Sequence, residues 1–185
     1  WKIMQFQTTE ADTCRTLVTP ALQSAGWENQ PCMIAEQHYF TDGRIVITGR
    51  SARRREGKKA DYILRYTRDM VLAVVEAKAQ GIPAGEGMSQ AKEYAQILGL
   101  QFAFATNGQT ILEFDFFSGL ERELDRFPSP DELWQRYQAG SGMLDVDVTR
   151  QFLTPYNIQD KTPHYYQEIA INRAIAAILS GKKRM

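Results

Sequence analysis

With 185 residues, 43% of them hydrophobic, the chain is long enough for one full core and too apolar for general disorder. Its 22 lysines and arginines balance 22 aspartates and glutamates, which excludes bulk positive charge as a means of gripping nucleic acid and leaves only local clustering. No apolar run approaches the ~20 residues of a membrane span and no signal peptide opens the chain.

Cys14 and Cys32 have no metal-ligand spacing and predict reduced thiols, buried as small apolar side chains in a cytosolic protein. The ends, Trp1 and "SGKKRM", suit a fragment of something longer. In chain order, "TTEADTCRTLVTPALQSAGW" predicts a helix. Thr9 and Asp12 are spaced for a capping box, Cys14, Leu17, Val18, Ala21, Leu22 and Ala25 follow a 3.6 period, and Gly26 is a natural stop. Pro20 should kink or split it. "MIAEQHYF" and "RIVITG" predict strands joined by a turn at "TDGR", and the basic "GRSARRREGKK" predicts a loop.

"ADYILRYT" and "MVLAVVEAK" predict two more strands with "RD" between them. A glycine-rich loop, "GIPAGEG", then leads to a helix near "MSQAKEYAQILG". "QFAFATN" and "TILEFDF" predict a hairpin turning at "GQ", and "SPDELWQRYQAG" a capped helix. The order α-β-β-β-β-α-β-β-α is that of an α/β protein with a mixed sheet. Periodicity fades over residues 140–163, which predicts a linker, before a last helix in "YYQEIAINRAIAAILSGKK" whose apolar face needs a partner.

The chemistry is concentrated at the end of the apolar run "MVLAVVEAK". If the turn before it is centred between Arg68 and Asp69, residues whose numbers sum to 137 face each other, and Asp61 and Glu76 are such a pair. Their Cβ atoms then lie roughly 4.5–5.5 Å apart, whereas a slip of one residue separates them. Two carboxylates so close repel unless a proton or a cation lies between them. Mg²⁺ takes one or two protein carboxylates and completes its shell with water and substrate phosphate. The Ala77 carbonyl could supply one more oxygen. Lys78, two residues past Glu76, projects to the same face. An ammonium beside a metal-bound water is equipment for phosphodiester hydrolysis. The plainer alternative is a solvated strand end on which Lys78 pairs with either acid.

"ADYIL…AVVEAK" resembles the PD-(D/E)xK nuclease signature, with Ala60 where that family often has proline. More narrowly it resembles the N-terminal nuclease domain of type I restriction enzyme R (motor) subunits. "TEADTCRTLVTPALQSAGW", "TDGRIVITG" and the Q-x-x-x-Y spacing in "QAKEY" support the narrower likeness. The resemblance implies a restriction-endonuclease-like α/β core with a mixed sheet flanked by helices. It implies Asp61 and Glu76 as metal ligands and Lys78 as the catalytic lysine. Gln90 and Tyr94, neighbours on one helix face, would support the site or hold DNA backbone, with plain packing as the alternative. Related nucleases place a helix acid near the metal, which makes Glu10 a candidate third carboxylate; an acid favoured by the helix dipole is the alternative.

Arg50, Arg53, Arg54, Arg55, Lys58 and Lys59 run into the strand carrying Asp61 and suit contacts to DNA phosphates; a solvated loop is the alternative. "TPHYYQEIAINRAI" resembles the segment before the nucleotide-binding loop of superfamily 2 helicases, with Gln167 as the adenine-reading glutamine. No G-x-x-x-x-G-K-[ST] follows, so ATP would be a cofactor of a longer subunit only. The implied organisation is an endonuclease domain at 1–139, a linker at 140–163 and the first helix of a truncated motor at 164–185. The implied function is Mg²⁺-dependent (or Mn²⁺-dependent) cutting of duplex DNA without sequence readout. The implied partners are methyltransferase and specificity subunits in an ATP-driven translocating complex, away from any membrane. A non-catalytic DNA-binding or subunit-docking module on the same fold is the alternative from another class. A stand-alone repair or resolvase-type nuclease is a third, and it has no need of the last helix.

Overall fold

The computed structural model describes residues 8–40, 45–48, 51–54, 57–143 and 165–179, and for 45–48 and 51–54 the backbone alone. The chain enters through a capped helix. Thr9 Oγ1 accepts from Asp12 N–H at 3.1 Å, and Asp12 Oδ2 accepts from Thr9 N–H at 3.2 Å. The helix begins as α1 (Glu10–Thr13), widens into a π-helical turn (Cys14–Val18) and continues as α2 (Thr19–Ser24). Pro20 is the physical reason. In regular winding its ring would meet the Thr16 carbonyl and leave that carbonyl without a donor. The wider turn, in which Thr19 N–H reaches back to Cys14 O, accommodates both defects without breaking the helix.

Strands β1 (Met33–Phe40), β2 (Ile45–Thr48) and β3 (Ser51–Arg54) come next, followed by β4 (Lys58–Arg65) and β5 (Val71–Ala77). Then come helix α3 (Gly85–Leu98), strands β6 (Phe102–Thr106), β7 (Ile111–Asp115) and β8 (Leu120–Leu124), and helices α4 (Pro130–Ser141) and α5 (Tyr165–Leu179). Six strands form a mixed sheet in the order β1-β4-β5-β6-β7-β8. Only the β5–β6 pair in it is parallel, and α3 is the crossover that a parallel pair requires. Every residue of β5 and β6 is buried, as expected for central strands covered on both faces. Over one face Trp27, Tyr62, Leu64, Val75, Phe104 and Trp134 form a cluster; over the other, Met88, Ala91 and Tyr94 of α3 pack on Ile63, Val74 and Ala103.

Four expectations change. The β1–β2 hairpin does not form: β1 pairs with β4, while β2 pairs with β3 in a separate two-stranded sheet. The "TDGR" turn lies outside the described residues. The basic segment is not all loop, because Arg53 and Arg54 belong to β3. β8 was not foreseen; it is an exposed edge strand, "LEREL", with little apolar alternation to announce it. Finally, α4 runs past residue 140 to Ser141. Gly140 is needed inside it because a Cβ there would overlap the Phe117 ring. The helix ends at Gly142 (φ +67), and Met143 packs on the core, so the linker cannot begin at 140. Ile175 of α5 is buried in the same cluster as Trp134, and Ile171 packs against it.

Glu113 of β7 is wholly buried between two guanidiniums. Arg122 Nε lies 2.6 Å from its Oε2, and Arg136 Nη1 lies 2.6 Å from its Oε1. Removing a partner from a buried pair strands the charge, whereas an exposed pair contributes little. Arg136→Ala should therefore lower the unfolding free energy by about 3 kcal/mol in urea titrations. Arg15→Ala, which breaks only the exposed 3.6 Å pair with Asp12, should change it by less than about 1 kcal/mol.

Candidate active site

The β4–β5 register is the one expected at the site: Tyr62, Ile63 and Leu64 face Val75, Val74 and Ala73, and the ladder is interrupted only at Leu64/Arg65. The next step beyond Tyr62 and Val75 sets Asp61 against Glu76. There the carboxylates replace the ladder. Asp61 Oδ2 accepts from Ala77 N–H at 2.9 Å, and Glu76 Oε1 accepts from Asp61 N–H at 3.4 Å. Asp61 is 9% exposed and Glu76 2%. Burial, and then the facing Asp61 charge, push the Glu76 carboxyl up to about 8.

Lys78 follows where β5 ends, and its backbone N–H donates to Thr106 O at 2.8 Å. Its stem lies across the first turn of α3, with Cε 3.4 Å from the position a Cβ on Gly87 would take. This explains why "GEG", expected as loop, opens the helix instead: a bare turn leaves room for the lysine. Lys78 Nζ donates to Gln90 Oε1 at 3.3 Å, and Gln90 Nε2 donates to Tyr94 Oη at 2.9 Å. Tyr94 is buried, edge-on to Phe40 with centroids 5.0 Å apart. For Gln90 and Tyr94, support and packing are thus one arrangement: the ring anchors in the core, and its hydroxyl orients the amide that holds Lys78.

Glu10 also comes to the site, with Oε2 3.7 Å from Lys78 Nζ. It is placed on the ammonium and not between the acids; among the described residues no three His, Cys, Asp or Glu side chains gather as a metal cage. Thr13 ties the same helix to the segment after Lys78 by accepting from Gln80 N–H at 3.0 Å. Two further residues were missed by sequence reasoning. Gln37 of β1 donates its amide to Asp61 Oδ1 at 3.1 Å. Gly87, read as loop, sits beneath Lys78. Nothing in the sequence marks Gln37, since its value lies in register and backbone conformation.

The basic residues divide. Lys58 is ion-paired with Glu93 and lies 5.5 Å from the Tyr94 ring centroid, and Lys59 lies 5.3 Å from that of the exposed Tyr39. The side chains of Arg53 and Arg54, and all of Arg50 and Arg55, lie outside the described residues. Gln167 is exposed on α5. Cys14 and Cys32 are free and half-buried, and burial raises both thiols to about 11. No described helix is long and apolar enough to cross a membrane.

The donor set suits a small divalent cation. Two carboxyl groups face each other across a strand pair, and burial, with the Asp61 charge second, raises the Glu76 carboxyl. Hard cations of the Mg²⁺ type take one or two such groups.

Residues 32–128 match the family described as type I restriction enzyme R protein N terminus. The chain is 38% identical over 190 residues to the type I restriction enzyme EcoAI endonuclease subunit of Escherichia coli, covering 96% of this chain and 23% of that one. It also superimposes with a TM-score of 0.83, at 53% identity, on a solved fragment assigned to the HsdR subunit of a type I restriction enzyme from Vibrio vulnificus YJ016. That match covers 97% of this chain and 34% of the fragment. The chain therefore spans about a quarter of the curated relative.

The Glu76 carboxyl holds its proton more tightly in the folded chain, at about 8, than at its ordinary value of 4.5. Its contribution is thus fully present below about 4.5 and is lost as pH rises to about 8. Metal-free chain should lose unfolding free energy across that window in urea titrations at stepped pH. Glu76→Gln should flatten the loss; an equally steep loss in the variant would show that other groups carry it.

Proposed function

The chain belongs to the family of type I restriction enzyme R protein N termini, and from that premise we propose that it is a Mg²⁺-dependent endonuclease domain. It hydrolyses phosphodiester bonds of duplex DNA without reading sequence. The observation that carries this reading is the buried opposition of Asp61 and Glu76 beside an oriented lysine. Asp61 and Glu76 would hold Mg²⁺, or Mn²⁺ in its place, with the Ala77 carbonyl as a further oxygen. When bound, such an ion supplies Lewis acidity and a nucleophile at neutral pH.

The remaining work belongs to the chain's own residues. Lys78 offsets the negative charge of the scissile phosphate, and its ammonium stays positioned because it donates a hydrogen bond to Gln90 Oε1 and Glu10 lies beside it. Tyr94 fixes Gln90 and acts through it, so Gln90 and Tyr94 are positioning residues. Lys59 and the arginines at 50 and 53–55 offer phosphate contacts that locate the backbone without base readout. Lys58, already paired with Glu93, is the weakest of these contributors.

Because the chain covers only about a quarter of its curated relative, ATP-driven translocation and an adenine-reading role for Gln167 belong to a longer subunit. That subunit would work with methyltransferase and specificity partners on duplex DNA.

Asp61→Ala, Glu76→Ala and Lys78→Ala should each abolish DNA cleavage by the reassembled enzyme while leaving its ATP hydrolysis intact. Normal cleavage by all three would overturn the assignment and favour a non-catalytic DNA-binding or docking module. That alternative predicts instead a salt-dependent DNA affinity lost on neutralising residues 53–55. Gln90→Ala should reduce cleavage by about 10–100-fold without abolishing it.

A further inference from the structure

Gln37 is the one described residue other than glycine with a positive φ, +52°. It occurs in mid-strand, between Glu36, which faces Tyr62, and His38, which faces Ala60, so the register places Gln37 beside Asp61. This conformation suits glycine and strains other residues. Such strain persists where the surroundings demand it.

One demand comes from the backbone. On β1, Ala35 and Phe40 both join the cluster under α3 although five positions separate them, and on β4 Ile63 and Ala60 both join it although three do. Regular alternation would put each pair on opposite faces. Both strands change phase at the step that holds Gln37 and Asp61. Glycine would make that step with less strain, so the backbone alone does not account for a glutamine.

The side chain supplies the missing reason. Gln37 is exposed, and burial does not force its amide onto a partner; even so, Nε2 donates to Asp61 Oδ1 at 3.1 Å. The other oxygen, Oδ2, is held by Ala77 N–H at 2.9 Å. The carboxylate is therefore gripped at both oxygens, one by the backbone of β5 and one by Gln37, which fixes its plane while leaving lone pairs free. Hydrogen bonds of this kind to a ligating carboxylate change metal affinity by about 10–100-fold.

We infer that Gln37 is a positioning residue for the Asp61 carboxylate, kept at a strained backbone position for its side-chain amide. The inference rests on the metal-binding reading of Asp61 and Glu76 and adds a residue outside the acid–acid–lysine set. Two substitutions separate amide from backbone. Gln37→Met keeps length and strain without the donor, and Gln37→Gly removes both.

Mn²⁺ titrated calorimetrically into the unsubstituted chain, Asp61→Asn, Gln37→Met and Gln37→Gly, with thermal midpoints taken alongside, provides the test. Both Gln37 variants should bind Mn²⁺ at least about tenfold more weakly, while Gln37→Gly melts no lower than the unsubstituted chain. Unchanged affinity in both, or loss in only one of them, overturns the role of the amide. Failure of the unsubstituted chain to bind Mn²⁺, or full binding by Asp61→Asn, overturns the metal-site reading and this inference with it.

Discussion

Everything at the candidate site follows from the place where β4 and β5 stop exchanging backbone hydrogen bonds. Up to Tyr62 and Val75 the two strands form an ordinary antiparallel ladder. One step further the amide protons of Asp61 and Ala77 are taken by carboxylates instead of carbonyls. A side chain that ends a ladder in this way is fixed by the same forces that fix the strand. The two acids need no loop to bring them together, and the precision of the site is that of a sheet. Buried amide protons must find acceptors, so the arrangement satisfies the backbone and loads the site with negative charge at once.

The neighbouring elements are arranged around that charge. α3 crosses behind β5 as the connection a parallel neighbour requires, and its bare first turn at Gly87 lets Lys78 lie flat toward Gln90. The N-terminal helix closes the other side. Its π-helical turn carries Leu17 over the β6–β7 hairpin, where a Cβ on Gly108 (φ +84) would lie 2.5 Å from Leu17 Cδ1. That close approach, with the hydrogen bond from Gln80 to Thr13, holds Glu10 near Lys78. A proline that sequence rules treat as a helix breaker thus sets the turn by which the helix docks. π-turns of this kind are frequent near functional sites.

How much of this was legible in the sequence depended on whether the information was periodic or positional. Apolar runs announced β4 through β7. Asp61 and the Glu-x-Lys that begins fifteen residues later gave the facing acids because a short antiparallel connection has so few registers. α4 was legible from "SPDE", where Ser129 and Glu132 do form a capping box. β8 was not, because an edge strand exposed along most of its length has no need of apolar alternation. The pairing of β1 was misread because the Asp-Gly signal is local, while its apolar residues are satisfied by β4, some twenty residues on. Gln37 was invisible for a deeper reason. Its role lies in a φ angle and in a neighbour on another strand, and neither is a property of the residue type.

The two buried glutamates of the sheet show what distinguishes a structural acid from one held in reserve. Glu113 and Glu76 are 0% and 2% exposed, so both have lost their hydration almost completely. Glu113 is enclosed by Arg122 and Arg136, and its charge is matched inside the fold. Glu76 faces Asp61, and the Lys78 ammonium is turned toward Gln90 and Glu10. A fold that needed Glu76 only for packing would do better with an apolar residue of similar volume, since an unmatched buried carboxyl opposes folding. The same chain matches one buried acid with two guanidiniums and leaves the other facing a like charge. Ion pairing inside the fold therefore accounts for Glu113, whereas Glu76 is buried against Asp61 with its carboxyl raised to about 8, the mark of an acid that the fold does not pair.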